Sequence, residues 1–80
     1  MASGLDALAG SAAWNLNPTN ANWNTALNWT PATVPNSSAD TATFNLSNTT
    51  GVSLSANTEV NEVVFSAAAT NPFTLKEKSC

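Results

Sequence analysis

The chain has 80 residues, a net charge of −3, 9% charged residues and no histidine. Its bases are Lys76 and Lys78 alone, too few to neutralise a run of phosphates, which excludes nucleic-acid binding. A chain this short forms one small domain that buries only about 60% of the surface its unfolded form exposes, so a staple or a partner is expected to supplement its core.

Cys80 is the only cysteine, so no disulfide forms within the chain. Its thiol is read as incidental, with an intermolecular disulfide as the alternative. No structural metal or cofactor is expected, because the five acids Asp6, Asp40, Glu59, Glu62 and Glu77 are scattered and no histidine joins them. No stretch approaches the roughly eighteen apolar residues of a membrane span. The N-terminus lacks a basic region, and Asp6 interrupts what would otherwise be a signal core. The surface is solvated by Asn, Ser and Thr, a composition associated with extracellular β proteins. Four Asn-x-Ser/Thr sequons, at Asn28, Asn36, Asn45 and Asn48, follow from that composition without implying glycosylation.

Residues 1–10 are read as a flexible tail or one short helical turn. Ser3-Gly4-Leu5-Asp6 has a weak capping-box spacing, and Gly10 closes the segment. Residues 11–80 are read as a single small β domain, divided into a Trp- and Pro-rich cap (11–40) and a strand repeat (41–75). In the cap, Ala13 to Leu16 reads as a short strand and Asn17-Pro18 as a turn. The run Trp23-Asn24-Thr25-Ala26-Leu27-Asn28-Trp29 suits a tight helical turn that pairs Trp23 with Leu27. Pro31 and Pro35 then impose extended backbone.

Trp14, Trp23 and Trp29 all lie in this cap. Exposed, they would form a platform for sugar rings. Buried, each removes roughly 150–250 Å² from water, an upper bound of about 4–6 kcal/mol apiece at about 25 cal/mol per Å². A core this small can hardly forgo that, so the structural role is preferred. Each buried indole N–H then needs an acceptor, which the neighbouring Asn and Thr residues are expected to supply.

Asn36-Ser37-Ser38-Ala39-Asp40 reads as a turn, with Asp40 bonding a nearby backbone N–H. A calcium role for Asp40 would need six to eight oxygens, which nothing nearby supplies. From Thr41 to Leu75, apolar pairs recur every ten or eleven residues: Ala42-x-Phe44, Val52-x-Leu54, Val63-x-Phe65 and Phe73-x-Leu75. Each pair puts two side chains on one face of a strand, and the intervening segments are rich in turn formers. The expected core is Phe44, Val52, Leu54, Val63, Phe65, Phe73 and Leu75.

The fold class is therefore all-β, with short strands. An antiparallel meander or small β-sandwich fits the spacing. So does a β-solenoid of about twenty-one residues per coil, which stacks Phe44 over Phe65 and Leu54 over Leu75. Glu59 and Glu62 lie three apart, yet nothing near them in sequence tunes a pKa, so a solvent-facing role is preferred to acid–base catalysis. Without a nucleophile–base pair or a phosphate loop, no enzyme is expected. Lys76-Glu77-Lys78 ends the apolar pattern with charges that discourage further strand pairing.

The order Trp14, then Asn22-Trp23-Asn24-Thr25-Ala26-Leu27-Asn28-Trp29, Val34-Pro35, Asp40-Thr41-Ala42-Thr43-Phe44, Val52-x-Leu54 and Val60-x-x-Val63-Val64-Phe65 resembles a known pattern. It is similar to the N-terminal segment of bacterial surface and passenger proteins of the PEP-CTERM type that carry autotransporter-associated β-strand repeats. The resemblance covers residues 14–75. It implies secretion to the cell surface, a right-handed parallel β-helix and a structural role without catalytic residues. The expected function is thus a non-enzymatic extracellular capping module that self-associates, as a homo-oligomer, through an exposed strand or the open end of its core. The alternative is a small glycan-binding module that uses the Trp cluster.

Overall fold

In a computed structural model, residues 10–77 are described. The expectations for residues 1–9, and for Lys78 and Cys80, fall outside that range. The elements are β1 (Ala12–Trp14), a 3₁₀ turn (Ala26–Asn28), β2 (Trp29–Thr30), β3 (Ser37–Phe44), β4 (Gly51–Ser53), β5 (Val60–Phe65) and β6 (Thr74–Lys76). The protein is all-β, and the single 3₁₀ turn is the only helical element among the described residues.

Two small sheets form. The first has the order β2-β1-β3-β5 and the second pairs β4 with β6. β1, β3 and β5 run parallel, whereas β2 lies antiparallel against the outer side of β1. A meander is excluded: β3 pairs with β5 and not with β4, its neighbour in sequence.

Register follows the apolar spacing on one side. Trp14, Phe44 and Phe65 are aligned across β1, β3 and β5, as are Ala12, Ala42 and Val63. Side chains alternate along a strand, so these two rows point inward, while Ala13, Thr43 and Val64 form an outward row. On the other side, the sequence expectation is off by two residues. Leu75 aligns with Val52, not with Leu54. The loop between β5 and β6, which contains Pro72, is longer than an even period allows, so twenty-three positions separate that pair while twenty-one separate Phe44 from Phe65.

The boundary drawn between cap and repeat is also corrected. β1, from the cap, lies inside the parallel sheet, thirty positions before its partner in β3. Residues 15–28 leave that sheet and touch the second one, where Trp23 N donates to Ser53 O at 2.7 Å and Ser53 N to Ala21 O at 2.8 Å. The turn expected at Asn36–Asp40 is instead the start of β3, with a register irregularity between Ser37 and Thr41. Asp40 is buried there, and its Oδ2 accepts from Asn36 N at 3.0 Å.

The core consists of Ala12, Trp14, Trp23, Trp29, Ala42, Phe44 and Val52, with Val34, Leu54, Val60, Val63 and Phe73 half-buried against it. Phe44 is its hub. Its ring centroid lies 6.0, 5.7 and 5.6 Å from those of Trp14, Trp23 and Trp29, and 5.3 and 4.9 Å from those of Phe65 and Phe73. Two expected core residues are not buried: Phe65 is 52% exposed and Leu75 40%. Both align with fully buried residues, Phe44 and Val52. Phe65 differs from Phe44 in that β5 is an edge while β3 lies between two strands; Leu75 differs from Val52 in that β4 is flanked on its other side by the segment bridging at Asn22 to Ser53.

Candidate functional site

The three tryptophans are each about 2% exposed, which leaves no ring face open to a sugar. Trp14 and Trp23 meet Trp29 edge to face, at 5.1 and 5.0 Å between centroids, an arrangement that the ring quadrupoles favour. Every indole N–H is satisfied. Trp14 Nε1 donates to Thr49 O at 2.9 Å, Trp23 Nε1 to Pro35 O at 3.0 Å, and Trp29 Nε1 to Trp23 O at 2.7 Å. All three acceptors are backbone carbonyls, one of them on a threonine, Thr49. The pairing expected of Trp23 with Leu27 is also absent, since Leu27 is exposed and only residues 26–28 take up a helical turn.

The asparagines do a different job. Asn28 is fully buried and uses its whole side-chain amide. Oδ1 accepts from Thr19 N at 2.8 Å, Thr19 Oγ1 at 2.9 Å and Asn20 N at 3.2 Å. Nδ2 donates to Asn20 Oδ1 at 2.8 Å and Asn22 O at 2.7 Å. One amide thereby supplies both the donors and the acceptor that fold the 19–22 loop over the indoles. Ser47, also fully buried, donates from Oγ to Asn15 O at 2.9 Å and accepts from Thr49 N at 3.1 Å. The sequence reading placed neither residue in the interior, since Asn and Ser were read as turn formers and solvent-facing polar groups.

Other polar side chains join segments that are distant in sequence. Asn48 Nδ2 donates to Asn17 Oδ1, Asn24 Nδ2 to Thr58 Oγ1, Ser66 Oγ to Asn45 Oδ1, and Asn71 Nδ2 to Ser47 O, all between 2.6 and 3.0 Å. Glu59 N donates to Asn36 Oδ1 at 2.9 Å. The neutral polar composition therefore serves as a set of cross-links between segments distant in sequence.

Glu59 and Glu62 are exposed on the surface. Among the described residues, no three His, Cys, Asp or Glu side chains group as they would to hold a metal ion, and no helix is long and apolar enough to cross a membrane.

One exposed apolar surface lies at the β5 and β6 end of the sheets. An open concavity of about 340 Å³ is lined by Phe65, Ala69, Asn71, Pro72 and Phe73. Phe65 and Phe73 meet there at 5.9 Å. β5 runs along its rim with one edge unpaired among the described residues. The opposite end differs in kind, since β2 occupies the outer edge of β1 and the rings of Trp14 and Trp29 close the interior. Searches against family models, curated proteins and solved structures give no match.

Proposed function

We propose that this chain is a non-enzymatic structural module, the capped first coils of a β-solenoid, which associates through its uncapped end. The observation that carries the reading is the unequal treatment of one inward row. Trp14 and Phe44 are buried, while Phe65, in register with them, is half open to solvent. The parallel pairing at successive steps is what stacking coils require. The antiparallel β2 and the hydrogen-bonded indoles act as the terminal cap that such arrays need at an outer face. The resemblance to autotransporter-associated β-strand repeats supports the same reading and carries with it an extracellular or cell-surface location.

The glycan-binding alternative is weaker, because the rings it would use are enclosed. Light scattering over a concentration series tests the proposal. Association that grows with concentration is expected, and a chain that stays monomeric at millimolar concentration would overturn it.

A further inference from the structure

We infer that Asn36 is the N-glycosylation site of this chain, its side-chain nitrogen taking a sugar from a donor activated at the anomeric carbon. The inference rests on the surface location in the module reading above and adds to it the residue modified and the class of donor.

Four Asn-x-Ser/Thr sequons are present, and composition alone accounts for their number. The fold treats them differently. Transfer needs two groups of a sequon at once: the amide nitrogen, which forms the new bond, and the hydroxyl two residues on, by which the sequon is recognised. Both must be within reach in the folded chain.

Asn28 fails on the first group. It is fully buried, and its Nδ2 donates to Asn20 Oδ1 and to Asn22 O. Asn45 fails on the second. Its hydroxyl residue is Ser47, which is fully buried with Oγ donating to Asn15 O. Asn48 is exposed, but its Nδ2 donates to Asn17 Oδ1 at 2.7 Å, a bond that joins the segment after β3 to the segment after β1. Its hydroxyl residue, Thr50, is half-buried.

Asn36 meets both conditions. Asn36 and Ser38 are both exposed. Asn36 Oδ1 accepts from Glu59 N at 2.9 Å, and its backbone N donates to Asp40 Oδ2 at 3.0 Å. The residue is thus held in place while its Nδ2 makes no hydrogen bond among the described residues. The local backbone is also free to adapt. The register between β3 and β5 lapses between Ser37 and Thr41, and β1 pairs with β3 only from Ala42 onward. Ser38 lies outside both ladders, so the sequon can bend into an enzyme's cleft at the cost of one pair, Ser37 with Val60. That pair is at the opposite end of β5 from Phe65, so a sugar on Asn36 leaves the uncapped surface open.

The chemistry is a displacement. Nδ2 bonds to the anomeric carbon of a hexose as the bond from that carbon to a nucleoside diphosphate breaks. The diphosphate leaves with the electron pair, and one Nδ2 proton passes to a base of the transferase.

The test treats the folded full chain with a sequon-specific N-glucosyltransferase and uridine diphosphate glucose, and maps the product by peptide mass spectrometry. One hexose is expected on Asn36 and none on Asn28 or Asn45. Asn48 should lag by up to about tenfold, the rate equivalent of one hydrogen bond broken first. Ser38→Ala should abolish transfer to Asn36 and Ser38→Thr should keep it, both with tryptophan emission unchanged. Transfer to Asn28, Asn45 or Asn48 as fast as to Asn36 would overturn the assignment. So would a folded chain left unmodified while an acceptor peptide in the same reaction is glucosylated. A chain that takes its hexose on Asn36 yet stays monomeric in light scattering would uphold this site and overturn the associating module.

Discussion

The indole N–H of Trp29 donates to the backbone carbonyl of Trp23 at 2.7 Å, while the two rings meet edge to face at 5.0 Å. One pair thus supplies both apolar burial and the partner that a buried N–H requires. Replacing Trp29 with Phe would remove the donor, leave the Trp23 carbonyl without this partner and open a void. A loss of about 2–4 kcal/mol is expected, against a total of about 4–12 kcal/mol for a domain of this size. Urea denaturation followed by circular dichroism measures it.

Phe44 should be the costliest single truncation in the core. It touches all three tryptophans and both other phenylalanines, and it is fully buried. Phe44→Ala is expected to cost about 3–5 kcal/mol or to abolish folding outright. Phe65→Ala, on the same row but half exposed, should cost clearly less in the monomer. Equal losses at the two positions, measured in dilute protein, would contradict the packing described.

Asn28 offers a sharper probe, because Asn28→Asp keeps the shape and changes two donors into acceptors. The new carboxylate would face Asn20 Oδ1 and Asn22 O, both of which now accept from Nδ2. A loss of about 3 kcal/mol or more is expected at neutral pH, from the buried charge and the mismatched pairs. The loss should shrink on acidification, since the neutral acid regains one donor and the native site holds a proton that the unfolded chain has released. A urea midpoint independent of pH in this variant would argue against the network.

Tryptophan emission separates the structural reading from the glycan alternative. Three enclosed, hydrogen-bonded indoles should emit to the blue of exposed tryptophan. The spectrum should not move when soluble oligosaccharides are titrated in. A saturable shift with any of them would restore the sugar-platform reading.

Glu59→Gln and Glu62→Gln should each leave stability within about 0.5 kcal/mol, as for exposed positions without a special feature. Thermal unfolding of the two variants checks this. A large change at Glu62 in dilute protein would point to a role for its charge within one chain.

Much of the architecture was readable because strand periodicity is a local property. The step from Phe44 to Phe65 set one row of the parallel sheet, and the demand of a small core for large apolar area placed the tryptophans inside. The spacing of Leu54 and Leu75 misled, because register depends on how much chain each loop takes up, and the loop holding Pro72 takes up two residues more. The pairing of β1 with β3 was hidden for the same reason: thirty positions separate them, most spent in the loops around the indoles.

From its own residues, then, the chain determined that it would be all-β, with short strands, an aromatic interior and a polar surface almost free of charge. Only the tertiary structure decided which members of each apolar row are covered. Burial depends on having a neighbour on both sides, which no residue carries in its identity. Phe44 and Phe65 are the same amino acid in the same row, yet one is enclosed and the other half bare because β3 lies between two strands and β5 beside one. The same holds for the buried amides, since Asn28 differs from its exposed counterparts only in what the fold brings against it.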